Sequence, residues 1–170
     1  ILEKNLDRIR QLDDLFGNRA NIVYSTQDAV ERYVMRADMV IGAVLIPGAL
    51  APKLVTRDLL KKMRPKSVIV DIAIDQGGCA ETSKPTTHDQ PTYEVEGIVH
   101  YCVANMPGAV PRTSAFALNN ATLPFVLKLA KHGVAALKAD RHLAQGLNVA
   151  GGYITYKAVA DDLDLPFKAA

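Results

Sequence analysis

The chain has 170 residues, of which 49% are hydrophobic and 22% charged, and its formal net charge is +2. This length suits one domain with a sizeable apolar core, and the mixed-sign charges leave no concentrated basic face for nucleic acid. The longest apolar run, 39–46, is too short to cross a bilayer, so we predict a soluble, cytoplasmic protein with no membrane contact.

Strand-length apolar runs alternate with amphipathic stretches in the N-terminal part of the chain. After the opening Ile-Leu-Glu, strands are predicted over 21–24, 39–46, 67–74 and 98–104. Helices are predicted over 6–16, 28–36 and 56–63, where apolar residues recur three and four positions apart. The strand runs are continuously apolar, which is typical of strands covered on both faces. The pattern predicts an α/β fold with an open, doubly wound parallel sheet.

The pattern changes after residue 112. One long helical stretch is predicted from 113 to about 138, with Pro124 kinking it or starting a new segment. A short hairpin around Gly151 and Gly152 is predicted over 147–156, followed by a helix over 158–163. Because this tail has too little apolar surface to form a core alone, we predict a sheet domain over 1–112 and a helical segment over 113–170 that packs on a domain outside this chain.

Glu3 closes the first predicted strand and precedes a predicted helix. In dinucleotide-binding folds an acidic residue at that place accepts hydrogen bonds from the adenine ribose, about 20 residues after a glycine-rich turn. The alternative is a favourable charge near a helix N-terminus, and the local sequence leaves both interpretations open. No G-x-G-x-x-G loop occurs in the chain, and residue 1 is Ile rather than Met. We therefore expect that the chain is cut within a nucleotide-binding fold.

Three loops are expected to line one crevice, because the carboxyl ends of parallel strands meet at the same edge of a sheet. They read IGAVLIPGALAP, DIAIDQGGC and YCVANMPGAVP, and they begin at residues 41, 71 and 101. Asp75 lies at the end of a predicted strand, where it is either a turn or cap acceptor or a carboxylate beside a reacting carbon. Asn105 supplies an amide to the third loop.

The two cysteines and the histidines near these loops indicate structural roles. Cys79 and Cys102 show no Cys/His ligand spacing, so both are predicted to be buried thiols, and no metal site is predicted. His100 lies within a predicted strand and is interpreted as packed, whereas His88 lies in a polar loop and is interpreted as solvated. We assign catalysis to none of these four residues.

Three long segments carry a resemblance to a known family. They read IGAVLIPGALAPKLVT, SVIVDIAIDQGGCAETSKPTTHDQPTY and VHYCVANMPGAVPRTSAFALNNATLP, in that order. Together they resemble alanine dehydrogenase across almost the whole chain. The resemblance implies a Rossmann-like, NAD-binding domain, truncated at its N-terminus, over 1–112, followed by C-terminal helices. It also implies reversible oxidative deamination of L-alanine to pyruvate and ammonia by a two-domain, cytoplasmic, hexameric enzyme, of which this chain is the C-terminal portion.

The resemblance also implies roles for individual residues. Asp75 matches the catalytic carboxylate at the nicotinamide, which can orient the substrate amine or water and stabilise a cationic imine. Glu3 matches the ribose acid, which would favour NAD over NADP. The other positions implied to contact the cofactor, besides Asp75 itself, are Arg8, Ser25, Val44, Leu45, Ile72, Val103, Asn105 and Met106.

The family's substrate-binding arginine, active-site lysine and catalytic histidine belong to an N-terminal domain outside this chain. We therefore expect the chain alone to be inactive and to bind NAD weakly. One alternative is the NAD(H)-binding domain of a transhydrogenase alpha subunit, which shares the PGALAPKL-like loop but, by resemblance, lacks the counterpart of Asp75. The other alternative is a non-catalytic nucleotide-fold module, since a fold alone does not establish a function.

Overall fold

The computed structural model describes residues 1–169, and the chain forms two compact units. Unit 1 comprises Ile1–Leu45 and Ala51–Ala104, and unit 2 comprises Ile46–Leu50 together with the chain from Asn105 onward. Unit 2 thus begins before the predicted boundary at 112/113 and includes a short segment from the first half of the chain. The predicted packing of 113–170 on a further domain stays a prediction.

Unit 1 alternates short strands and helices. Its elements are β1 (Leu2–Glu3), α1 (Leu6–Phe16), β2 (Val23–Tyr24), α2 (Gln27–Val34), β3 (Met39–Gly42), α3 (Arg57–Leu60), β4 (Val68–Asp71), β5 (Thr92–Val95) and β6 (Ile98–Tyr101). Each helix begins after a polar cap, because Asn5, Thr26 and Thr56 each accept a hydrogen bond from a backbone N–H in the first turn. The helix predicted over 6–16 is confirmed with the same bounds, and the other two are confirmed as shorter helices.

Parallel pairing dominates the sheets of unit 1. β3, β4 and β6 are parallel, and β5 joins β6 antiparallel, which makes the strand order β3-β4-β6-β5. β1 and β2 form a separate parallel pair. The predicted α/β class with a parallel, Rossmann-like sheet is confirmed. β5 is missing from the sequence prediction because its surroundings are polar, and a two-residue turn with positive φ at Glu96 and Gly97 returns the chain.

The core of unit 1 lies where α2 and α3 cover the sheet. Val34 of α2 and Leu60 of α3 pack in one cluster with Ile69 of β4 and Ile98 of β6. Leu60 and Ile69 are 0% exposed. Full burial of such a side chain stabilises the fold by about 1.5–3 kcal/mol. Leu2 packs against the same cluster, so the β1–β2 pair shares the core of the larger sheet.

Two strands end earlier than their apolar runs predict. The run 39–46 is strand only as far as Gly42, and the run 67–74 is strand only as far as Asp71. Residues Ile72–Gln76 form a 3-10 helix instead. The prediction that Asp75 ends a strand is therefore wrong. The apolar run continues past β4 because Ala73 and Ile74 are still buried after the backbone has left the sheet.

Unit 2 is mainly helical. Its elements are α4 (Pro111–His132), α5 (Ala135–Ala139), α6 (Arg141–Ala144), β7 (Val149–Ala150), β8 (Tyr153–Ile154) and α7 (Lys157–Asp162). The predicted hairpin is confirmed, since β7 and β8 pair antiparallel around Gly151 and Gly152, both of positive φ. The predicted long helix is confirmed as α4, which runs on through Pro124 rather than restarting there.

α4 has no buried residue within the described part of the chain. Phe116, Leu123 and Leu127 form what we call the first stripe, and Leu118, Phe125 and Leu129 form the second stripe. All six side chains are exposed, from 40% to 66%. Each residue of the second stripe lies two positions after the corresponding residue of the first stripe. Two positions correspond to about 200° around a helix, so the stripes lie on nearly opposite sides of α4. A helix that is apolar on two sides is typical of one buried between two partners.

Candidate active site

The carboxyl ends of β1 and β2 bring together two of the residues predicted to contact adenosine. Glu3 is the last residue of β1, and Ser25 directly follows β2. The Ser25 N–H donates to the Glu3 carbonyl over 2.9 Å, so the two backbones are neighbours. Arg8 lies in the first turn of α1, where its exposed guanidinium donates to Oε1 of Gln11 over 3.2 Å.

The Glu3 carboxylate has one engaged oxygen and one that is not engaged. Oε1 accepts the backbone N–H groups of Lys4 and Asn5 over 2.7 and 2.9 Å. Oε2 makes no hydrogen bond to any residue in the range 1–169. One oxygen therefore orders the start of α1, while the other remains an acceptor for hydroxyl donors. The donor and acceptor chemistry at this strand end fits the ribose of a dinucleotide.

Asp75 lies on the 3-10 helix that follows β4. Ile72 and Asp75 are exposed, whereas Ala73 and Ile74 are 7% and 4% exposed. Because residues three apart in a 3-10 helix lie above one another, Ile72 and Asp75 share its solvent side. The predicted catalytic carboxylate is thus presented beside an apolar side chain, just beyond the carboxyl end of β4.

The loop after β3 leaves the sheet beside this helix. Gly42 and Asp71 are paired in the β3–β4 register, and they are the last residues of their strands. Val44 follows Gly42 closely and is half-buried, and Leu45 is 72% exposed. The structure therefore brings the loops that carry Val44, Leu45 and Asp75 to one edge of one sheet.

The residues predicted to contact the cofactor from the third loop belong to two different units. Val103 belongs to unit 1 and is 0% exposed, with a backbone bridge to Thr86. Because the Val103 side chain is fully buried, only the backbone of this residue could contact a ligand. Asn105 opens unit 2 in the left-handed conformation, with φ 58°, and Met106 begins the 3-10 helix that follows it. The sequence prediction that these residues complete the site stays a prediction.

Sequence reasoning missed two charged residues that organise the loop after β4. Asp71 is 0% exposed, and its Oδ2 accepts the backbone N–H of Cys79 over 2.8 Å and the hydroxyl of Ser83 over 2.6 Å. The Lys53 ammonium donates to the Gly78 carbonyl over 2.8 Å. A carboxylate inside an apolar strand run is a signal that could have identified Asp71. Nothing in the local sequence distinguishes Lys53 from a surface lysine.

The cysteines are buried, as the sequence predicts. Burial first, and then the adjacent Asp71, raise the pKa of the Cys79 thiol to about 12. At neutral pH this thiol stays protonated, and a thiolate is the form that acts as a nucleophile. A Cβ at Gly42 would lie 2.1 Å from Sγ of Cys79, so only glycine fits at the end of β3.

His100 is packed, as predicted, and His88 is exposed. The Nε2 atom of His100 lies 2.8 Å from the Thr82 hydroxyl oxygen, and Nδ1 lies 3.0 Å from the Ile98 carbonyl oxygen. The Tyr93 ring stacks on the imidazole at a centroid distance of 5.0 Å. Burial lowers the pKa of His100. Among residues 1–169 no group of His, Cys, Asp or Glu has an arrangement that could hold a metal ion.

No helix in the described range 1–169 is both long enough and apolar enough to cross a membrane.

Comparison with known proteins gives one consistent result. The family described as "Alanine dehydrogenase/PNT, C-terminal domain" matches residues 1–157. The chain is 59% identical to an alanine dehydrogenase of Halomonas elongata and 55% identical to one of Mycolicibacterium smegmatis, over 100% of this chain and 46% of each relative. It thus spans about half the length of the curated relatives it matches.

Solved structures agree with this result. An L-alanine dehydrogenase superposes with a TM-score of 0.81 at 52% identity, covering 96% of this chain and 45% of that one. A transhydrogenase from Sinorhizobium meliloti superposes with a TM-score of 0.68 at 25% identity, covering 92% of this chain and 42% of that one. From the family match and the identity over its whole length, the chain belongs to the alanine dehydrogenase/PNT C-terminal domain family.

Proposed function

We propose that this chain is the cofactor-binding portion of an NAD-dependent alanine dehydrogenase, which converts L-alanine, NAD and water to pyruvate, ammonia and NADH. The observation that carries the proposal is the exposed Asp75 on the short helix beyond β4. Relatives at 55% and 59% identity that are named alanine dehydrogenase supply the choice of reaction.

The cofactor would lie across the carboxyl ends of the strands. Oε2 of Glu3 would accept the ribose hydroxyls, and its negative charge would repel a 2′-phosphate, which favours NAD over NADP. Ser25 and Arg8 would contact the adenosine part. NAD, when bound, accepts the hydride that leaves the substrate. The apolar side chains of Val44, Leu45 and Ile72 would exclude water from the nicotinamide side.

Asp75 is the residue of this chain that we place at the chemistry. Loss of hydride from an amino acid leaves a cationic imine, and a carboxylate held beside that carbon stabilises the developing positive charge. The same carboxylate can orient the amine or the water that hydrolyses the imine. Val103, through its backbone, Asn105 and Met106 are kept as further proposed contacts on the resemblance alone.

The surface of α4 supports two further contacts. Its two apolar stripes are exposed on nearly opposite sides of one helix. We propose that one stripe packs on the N-terminal half that the relatives carry and the other on a second copy, within a cytoplasmic homo-oligomer, which the resemblance makes a hexamer. A stripe of three large apolar side chains left in water on each side would be unusual for a monomer.

The test is alanine-dependent formation of NADH, followed by absorbance, in the full-length protein, meaning this chain together with the N-terminal half that its relatives carry. We expect turnover in the full-length protein and none in the chain alone, because the substrate-binding side chains are expected in the other half. NADP in place of NAD is the matched control and is expected to be a much poorer acceptor.

A second candidate function is hydride transfer within a transhydrogenase, which the structural likeness to the Sinorhizobium meliloti protein favours. Folded full-length protein that binds NADH but never reduces NAD with alanine would contradict the alanine dehydrogenase proposal and favour this candidate. Binding of neither nucleotide would favour a non-catalytic module.

A further inference from the structure

The loop after β4 is held by hydrogen bonds to the buried carboxylate of Asp71. Oδ2 of Asp71 accepts hydrogen bonds from the N–H groups of Cys79 and Ala80 over 2.8 and 3.3 Å and from the Ser83 hydroxyl over 2.6 Å. Asp71 is the last residue of β4 and is 0% exposed. Hydrogen bonds to a carboxylate are roughly twice as strong as those between neutral groups. The loop is therefore drawn back over the end of the strand that it has just left.

The same loop is also held by Lys53. The ammonium donates to the carbonyls of Gly77 and Gly78, the latter over 2.8 Å. The backbone next to Lys53 follows the loop as well, since the Ala51 N–H donates to the Gln76 carbonyl over 2.8 Å. The chain that returns after β3 is thus tied to the chain that leaves β4.

The turn between these two anchors has little freedom. Gly77 and Gly78 both lie in the left-handed region, with φ of 86° and 76°. A Cβ at Gly78 would lie 2.7 Å from Oδ2 of Asp71 and 2.7 Å from Cβ of Ser83. The two glycines directly follow the helix Ile72–Gln76, so any shift of the turn moves the residue that carries the exposed carboxylate.

We infer that Lys53 and Asp71 are positioning residues that together fix the turn at Gly77 and Gly78 and so set the orientation of Asp75. The inference rests on the proposed function, because it gives Asp75 its catalytic meaning. Lys53 is the partner to test first, because it is exposed and can be replaced without disturbing the core. Its ammonium supplies donors to two carbonyls at once, and it links the loop after β3 to the loop after β4.

The first experiment replaces Lys53 in the full-length protein. Lys53→Met keeps the length of the side chain and removes the ammonium, and Lys53→Arg retains a cation with donors. Lys62→Met, at an exposed lysine just beyond α3, is the matched control. We expect Lys53→Met to lower kcat by up to about 10²-fold, the effect of a misplacement of about 1 Å. The affinity for NAD should stay nearly unchanged. Lys53→Arg should recover most of the loss.

The second measurement does not depend on the reaction. Hydrogen exchange of the backbone amides from 76 to 80 should be faster in Lys53→Met, with the amides of β3 and β4 unchanged. Ser83→Ala, which removes only the 2.6 Å hydrogen bond to Asp71, should have the same effect to a smaller degree. It avoids the unfolding that substitution of a buried carboxylate can cause.

Wild-type kcat in Lys53→Met, or unaltered exchange at 76–80, would overturn the positioning role. If the wild-type protein shows no alanine-dependent reduction of NAD, the proposed function fails. The exchange measurement then still decides whether Lys53 orders the turn.

Discussion

At the scale of single residues, Asp75 is where charge matters most for the proposed reaction. Asp75→Asn keeps the shape of the side chain and removes its charge, so it should lower kcat by about 10²–10³-fold, the usual loss when one electrostatic stabiliser is removed. Steady-state kinetics of the full-length protein measures the effect, with NAD affinity determined separately and expected to change little.

The matched control for Asp75 is Asp58→Asn, which removes an aspartate paired with Lys61 on the surface of α3. Exposed ion pairs contribute little, so this variant should turn over like the wild type. An Asp75→Asn protein with wild-type kcat would remove Asp75 from the chemistry.

His100 is a second residue with a measurable consequence. Burial lowers its pKa below the ordinary value of 6.5, so between 6.5 and that lower value the unfolded chain binds a proton that the folded chain does not. The free energy of unfolding should therefore fall as the pH falls below 6.5, by at most about 1.4 kcal/mol per pH unit. At neutral pH and above, His100 is neutral in both the folded and the unfolded chain, so its titration no longer changes the free energy of unfolding.

Thermal unfolding of the full-length protein at about pH 5.5 and about pH 7.5 measures this effect. His100→Gln should be less stable at both values, because Thr82 and Ile98 lose an imidazole partner, yet it should depend less on pH. His132→Gln, at an exposed position of α4, is the control and should behave as the wild type. A pH dependence that survives in His100→Gln would assign it to other groups.

At the scale of elements, α4 makes the clearest prediction. Leu127→Asp places a charge in the first stripe, and Phe125→Asp places one in the second. Burying an unpaired charge is strongly unfavourable, so each variant should break the contact that its stripe makes. In the full-length protein we expect one variant to lower the oligomer mass measured by light scattering and the other to lower the unfolding temperature.

Lys131→Ala changes an exposed position of the same helix and should affect neither measurement. If both aspartate variants assemble and melt like the wild type, the stripes of α4 have no partner in the full-length protein. That result would count against the proposed packing of 113–170 as well as against the second copy.

At the scale of the whole molecule, the chain spans about half the length of the curated relatives it matches. Unit 1 presents the two carboxylates that we propose for the ribose and for the reaction, Glu3 and Asp75, at or just beyond the carboxyl ends of its strands. It offers, within the described residues, no further titratable group that we assign to proton transfer. Turnover is therefore proposed for the full-length protein alone.

Much of this architecture was predictable from the sequence for local reasons. Apolar runs such as Ile-Val in β4 and capped helices such as α1 are determined by burial and by the cap at Asn5, and both signals lie within a few residues. The two glycines of the β7–β8 turn are local in the same sense. The same pattern predicted Asp75 at the end of a strand, which is its approximate place along the chain, although the strand stops at Asp71 and Asp75 lies on the short helix that follows.

The sequence by itself thus determined the α/β class, the order of the main helices and strands, and the family that the motifs resemble. Only the tertiary structure decided that β4 stops at Asp71, that Asp75 lies on a short helix, and that Lys53 holds the adjacent turn. The physical reason is distance along the chain. Lys53 meets carbonyls 24 and 25 residues away, and Asp71 meets N–H groups 8 and 9 residues away, so neither contact is visible in a local pattern.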